Sequence, residues 1–196
     1  LEKITKVVDP RAGEIMFGLN MIVNKSKTVF IGDTSVHEYP TSEQLAEIAI
    51  SSARVVRLFG FDPKVAFVSH STFGQPLTSR TKHIKDAVEI LKEKNVNFEF
   101  DGDMQPDVAL NEEYKSLYPF SKIVGNANIL VMPGQHSAAI SYKMMKTLGD
   151  TKVIGPLLIG LGLPIEIAPL RSSTSEILNL ASIAAYSADV IDYKKN

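Results

Sequence analysis

The chain has 196 residues, with 21 Lys and Arg against 22 Asp and Glu for a net charge of −1; 44% of residues are hydrophobic and 22% charged. This is the balance of a globular protein, not of a disordered or fibrous one, and it leaves no broad basic surface for nucleic acid or an anionic membrane. With no Cys there can be no disulfide, thiolate metal site or Cys nucleophile, the composition fits the reducing cytoplasm, and no apolar run reaches the roughly 20 residues of a membrane helix.

Residues 1–27 are poorly patterned, with a turn at Asp9-Pro10-Arg11-Ala12-Gly13 and an apolar segment, Met16 to Val23, compatible with helix or strand. They read as a lead-in from an upstream region, and Leu1 in place of Met suggests a piece of a longer protein. Residues 28–196 read as one domain. Thr28 to Ile31 is a strand ending at Gly32-Asp33-Thr34. Thr41 with Gln44 forms a capping-box pattern. Leu45, Ile48, Ala49, Ser52, Val55, Val56 and Phe59 then follow at helical spacing, and Gly60 is placed for a left-handed cap.

The pattern repeats. Val65 to Val68 is a short buried strand, 69–79 a polar loop, and Thr81 to Lys94 a helix with Ile84, Ala87, Val88 and Leu91 on one face. A strand at Phe98 to Phe100, a short helix between Asp107 and Leu117, a strand at Ile129 to Met132 and a helix from Ser137 to Leu148 come next. Apolar segments at Val153 to Ile159 and Ile165 to Ala168 precede a last helix, Ser175 to Ile191, which opens on Ser173 with Glu176 and could belong to a neighbouring lobe. Short unbroken apolar strands alternating with amphipathic helices predict an α/β fold: a mostly parallel sheet with helices on both faces and ligands at the carboxyl ends of the strands.

The loops at those strand ends hold the candidate site. In Ser69-His70-Ser71-Thr72-Phe73-Gly74-Gln75, hydroxyls and a Gly before a helix suit an anion, or only cap a turn. His136 in Pro133-Gly134-Gln135-His136-Ser137 could be a base or a ligand donor, or solvated. Asp101, Asp103 and Asp107 offer oxygen ligands, but their spacing fits no EF-hand and turn chemistry accounts for them, so no metal site is expected. Arg171 beside Ser172, Ser173 and Thr174 could clamp a phosphate or stand in water. No Walker A loop, GxGxxG or GxSxG occurs.

An ordered set of segments resembles the phosphate acetyl/butyryltransferase family. It comprises Gly32-Asp33-Thr34, the stretch from Pro40 to Ala49, Ser69 to Gly74, Asp101 to Gln105, Asn126 to Pro133, Ile140-Ser141-Tyr142-Lys143, Ile154-Gly155-Pro156 and Gly160 to Pro164. The version fused behind a malic-enzyme region is most similar, through Phe17-Gly18-Leu19-Asn20, Thr28 to Thr34 and Tyr118-Pro119-Phe120-Ser121. The resemblance implies the three-layer α/β/α fold of phosphotransacetylases, related to isocitrate and isopropylmalate dehydrogenases, and acyl transfer between coenzyme A and phosphate without a metal. It also implies a homo-oligomer joined to its own malic-enzyme domain, where NADP and a divalent metal would reside. Ser71, Thr72, Gly74, Gln105, His136 and Arg171 are the expected ligand-binding residues, facing an acyl-CoA or phosphate.

Departures from the family carry equal weight. Active members have a Ser-Arg-Gly run, Ser aiding proton transfer and Arg holding phosphate, where this chain has Pro169, Leu170 and Arg171. The family's Asp after the Pro of the fourth strand is Gly134, and a later Asn is Ala139. Loss of one positioned acid or base costs about 10²–10⁴-fold in rate. The expectation is therefore an acetyl-CoA-binding regulatory and oligomerisation module without full transferase activity. An active acyltransferase using Ser172 or Ser173, and a purely structural dimerisation domain, are the alternatives.

Overall fold

The computed structural model of the chain describes residues 3–76 and 78–193. Among these described residues seven strands form one sheet: β1 (Phe17–Val23), β2 (Thr28–Gly32), β3 (Lys64–Val68), β4 (Glu99–Met104), β5 (Ile129–Val131), β6 (Lys152–Ile159) and β7 (Ile165–Glu166), in the order β4-β3-β5-β2-β1-β6-β7. β4, β3, β5 and β2 pair in parallel, with Phe30 opposite Ile129 and Val65 opposite Ile129. β1 is antiparallel to both β2 and β6, and β7 antiparallel to β6, so β6 runs with the parallel group and only β1 and β7 run against it.

The helices are α1 (Ser42–Leu58), α2 (Ser79–Glu93), α3 (Pro106–Leu110), α4 (Glu112–Lys115), α5 (Gln135–Leu148) and α6 (Thr174–Tyr193). The capping box of Thr41 and Gln44 starts α1, and Leu45, Ile48, Ala49, Ala53 and Val56 turn to the sheet with 1% exposure or less. Each large side chain so buried contributes about 1.5–3 kcal/mol before entropy. α2 lies beside α1 on that face through Ile84, Ala87, Val88 and Leu91. On the opposite face Val108 and Ala109 of α3 and Ala138 of α5 cover Ile31, Ala66 and Leu130. Apolar residues on both sides of the parallel strands explain their unbroken apolar runs. α6 packs along β6 and β7, with Leu180 joining the α1-side core and Ile177, Leu178 and Tyr186 exposed. Among the described residues, no helix is long and apolar enough to cross a membrane.

The structure corrects several expectations. The lead-in is not separate from the fold, because Phe17–Val23 is an inner strand paired on both sides. Of the two readings open for Met16 to Val23, strand is the one found, and within it the Asn20 carboxamide oxygen accepts from the Thr34 hydroxyl deep in the core. Residues before β1 also dock: Arg11 N–H donates to Gly160 O at 2.9 Å, and Arg54 grips Glu14 through two bonds of 2.7 and 2.8 Å. The strand at 98–100 runs on to Met104, so Asp101 and Asp103 are strand residues rather than a loop cluster. The single helix expected over 107–117 is split by Asn111, whose extended backbone ends α3 and whose side chain caps α4. α2 starts two residues earlier than expected, on a capping box of Thr78 and Thr81, and α5 starts at Gln135 rather than Ser137.

Candidate functional site

In the sheet, β2 and β5 are neighbours, but β2 leads into α1 on one face and β5 into α5 on the other. Chains that part to opposite faces leave a crevice at the carboxyl ends of the strands, where open α/β sheets bind ligands. A cleft of ≈ 620 Å³ occupies this place, lined by Tyr39, Pro40 and Thr41 after β2, Ser79 and His83 of α2, and Gly134, His136 and Ser137 after β5.

Three long helices present their first residues to it: Thr41 caps α1, Ser79 begins α2, and Gly134 precedes α5 without any side-chain cap. Helix starts carry about +0.5 of a charge and free N–H groups, so the cleft favours an anion. His83 lines it too, its Nε2–H on Pro40 O at 2.5 Å and its Nδ1 2.9 Å from Ser42 Oγ. The ring thereby ties α2 to the start of α1. No sequence pattern marked His83, since a helix residue with one polar face looks like any solvated position.

The segment between β2 and α1 is strapped down by Asp33, which is 2% exposed. Its carboxylate accepts N–H bonds from Gly18 (3.0 Å), Ser35 (2.9 Å), Val36 (3.1 Å) and His37 (2.8 Å), and lies 2.6 Å from His37 Nδ1. Burial works against its charge, yet the bonds from His37 and the backbone prevail and hold its pKa below the usual carboxylate range. His37 O then accepts from Gln135 N at 2.8 Å, which lays the strap over the start of α5. A Cβ built on Gly134 would stand 2.3 Å from Glu38 O. Only Gly admits this approach.

The Ser71 loop obeys the same logic around a second Gly–Asp pair. Asp103, 2% exposed, accepts from the Ser71 hydroxyl and from Gly74 N at 2.9 Å, while its own carbonyl accepts from Phe73 N at 2.6 Å. Thr72 Oγ1 accepts from Gln105 N at 3.3 Å. The structure therefore brings Ser71, Thr72, Gly74 and Gln105 together, but the anion the loop holds is the chain's own carboxylate. None of these four lines the cleft, whereas His136 does. Asp33 and Asp103, which position both loops, were missed as site residues; the Gly–Asp pair recurring at two strand ends was the available signal.

Arg171 is elsewhere. It lies in a turn beyond β7, an edge strand that stands five places from β3, roughly 24 Å at the usual strand spacing, and runs the other way. The expected meeting of Arg171 with Ser71 in one cleft does not occur, and Arg171 is exposed. Its neighbours Pro169 and Ser172 line a smaller cavity of ≈ 210 Å³ with Tyr142, Lys143 and Lys146 of α5 and Glu176 of α6. Ser173 is occupied in capping α6, its hydroxyl taking Glu176 N at 3.3 Å and Glu176 Oε2 taking Ser173 N at 2.8 Å. The Ser172 hydroxyl is buried without a partner.

The family model for phosphate acetyl/butaryl transferase matches residues 1–185. This chain is a member of that family. An NADP-dependent malic enzyme from Rhizobium meliloti is 45% identical over 96% of the chain, which covers 25% of that protein. A phosphate acetyltransferase from Bacillus subtilis is 34% identical over 87% of the chain and 53% of its own length. Among solved structures, a phosphotransacetylase from Streptococcus pyogenes superposes with a TM-score of 0.87 at 32% identity, covering 93% of this chain and 56% of that one. The chain thus spans about a quarter of the malic enzyme and half of the transferases. A 4-hydroxythreonine-4-phosphate dehydrogenase from Klebsiella pneumoniae, at TM-score 0.59 and 12% identity, shares the fold alone.

Proposed function

We propose that this family member is an acyl-CoA-binding module without full transferase activity, attached in the cytoplasm to an N-terminal malic-enzyme region whose oxidative decarboxylation of malate it regulates. The observation that carries the reading is a division within the molecule. The switch-point cleft, with its wall strapped down by Asp33, has the form of a ligand site, while the positions of the family's Ser and Arg hold Pro169 and Leu170, and Leu170 projects fully into solvent. The span of about a quarter of a malic enzyme supports the attachment. NADP and a divalent metal then belong to the upstream region.

Regulation requires acyl-CoA to bind two states of the malic enzyme unequally; a coupling of about 1–3 kcal/mol changes affinity roughly 5–150-fold. Calorimetry of the chain with acetyl-CoA, beside an assay of CoA release from acetyl-CoA and phosphate, tests the reading. Binding heat without turnover supports it. Absence of heat, or brisk turnover, ends it.

One observation favours residual acyl transfer as a second reading: the unpartnered Ser172 hydroxyl beside Pro169, near Lys143 and Lys146. Any turnover should then vanish in Ser172→Ala and survive Ser173→Ala. Assembly into a homo-oligomer goes with exposed Ile140, Met144 and Leu148 along α5, and sedimentation of the chain tests it.

A further inference from the structure

The ring of Tyr39 is 78% exposed on the wall of the switch-point cleft. Every residue around it is fastened. Asp33 holds residues 35–37 through backbone N–H groups, Glu38 O abuts Gly134, Pro40 is buried with its carbonyl on His83, and Thr41 caps α1. No hydrogen bond or ring contact engages Tyr39 among the described residues. A large flat side chain left to water on a rigid segment meets a flat ligand with little further loss of freedom. Elsewhere the cleft wall mixes polar groups, His83, His136 and Ser137 among them, with the apolar Pro40, Ile84 and Pro133, and among the described residues Glu38 is the one carboxylate lining it. At ≈ 620 Å³ it has the capacity for a nucleotide.

We propose that Tyr39 is the stacking platform for the purine base of the ligand, so that the cleft recognises the nucleotide half of an acyl-CoA rather than its acyl end. The inference rests on the acyl-CoA reading above and adds which part of the molecule the cleft reads. Binding selectivity among acyl groups is then weak, because the acyl end lies away from the group that grips the base.

The experiment titrates the chain with acetyl-CoA, ADP and acetyl-pantetheine in wild type, Tyr39→Ala and Tyr39→Phe. Loss of one base stack weakens binding about tenfold. Tyr39→Ala should therefore weaken acetyl-CoA and ADP about tenfold, and Tyr39→Phe should bind both like wild type. Acetyl-pantetheine should bind weakly and equally to all three. The chain has no Trp, so Tyr39→Trp supplies a single fluorophore that ADP should quench. Equal binding of acetyl-CoA to wild type and Tyr39→Ala, with no quenching, overturns the stacking role and leaves the acyl-CoA reading standing. No binding of acetyl-CoA to wild type overturns both. Unchanged thermal melting of the exposed-site variants confirms that they are folded.

Discussion

The hydroxyl of Ser71, at the end of β3, donates to the carboxylate of Asp103, at the end of β4, and neither side chain is more than 2% exposed. Two neighbouring parallel strands are thereby locked at their functional ends, and Gly74 N completes the arrangement from the far side of the loop. A loop with the composition of a phosphate cradle is held shut by an internal anion.

Asp103→Asn keeps the shape but removes the charge that two donors face. Hydrogen bonds to charged groups are worth about 1.5–3 kcal/mol each. Asp103→Asn should lower stability by roughly 2–3 kcal/mol and Ser71→Ala by roughly 1–2 kcal/mol. Urea denaturation of the two single variants and the double variant checks this. The double should cost less than the sum, since both remove one shared bond.

Gly134→Ala should force the strap off the start of α5, because the new methyl would stand 2.3 Å from Glu38 O. The expected cost is about 1–3 kcal/mol, typical of overpacking. Hydrogen exchange should show Gln135 N–H, which donates to His37 O, losing protection while the amides of α2 keep theirs.

Glu166 on the edge strand β7 has a carboxyl pushed up to about 8 by burial, with one oxygen unpartnered. A raised carboxylate favours the folded state while protonated. Its folded form keeps a proton that the unfolded form loses above about pH 4.5, so stability should fall as pH rises from there through about 8. Glu166→Gln should flatten that fall and be roughly 1–3 kcal/mol more stable than wild type at pH 8.5, after allowance for water access. Thermal melts from pH 5 to 9 read this out.

The two-bond grip of Arg54 on Glu14 fastens the residues before β1 onto α1. The Arg54 hydrogen bonds hold the Glu14 pKa below its ordinary value despite some burial. The stability it confers is present above the ordinary Glu range and is lost as pH falls through the lowered value. Glu14→Gln should cost about 1 kcal/mol at pH 7, as partly exposed pairs do, and the difference should shrink below pH 4. Chemical denaturation at pH 7 and pH 3.5 measures it.

Much of the architecture is legible in the residues. The capping boxes at Thr41 and Ser173 and the apolar spacing of α1 appear where local pattern places them. Such signals are carried by neighbours within one turn of chain. For Met16 to Val23 local pattern left helix and strand open, because Gly18 and Asn20 interrupt the apolar run, and the partners their polar groups find are Asp33 and Thr34, residues brought from the end of β2.

For this protein, the sequence by itself determined the alternation of strand and helix, and through ordered motifs the family. Both depend on local periodicity or on residues read in order. Only the tertiary structure decided that Ser71 faces Asp103, that Arg171 stands at the opposite edge of the sheet, and that Tyr39, His83 and His136 share one cleft. The reason is geometric: strand order and the face each helix takes set those distances, and neither is written in the spacing of residues along the chain.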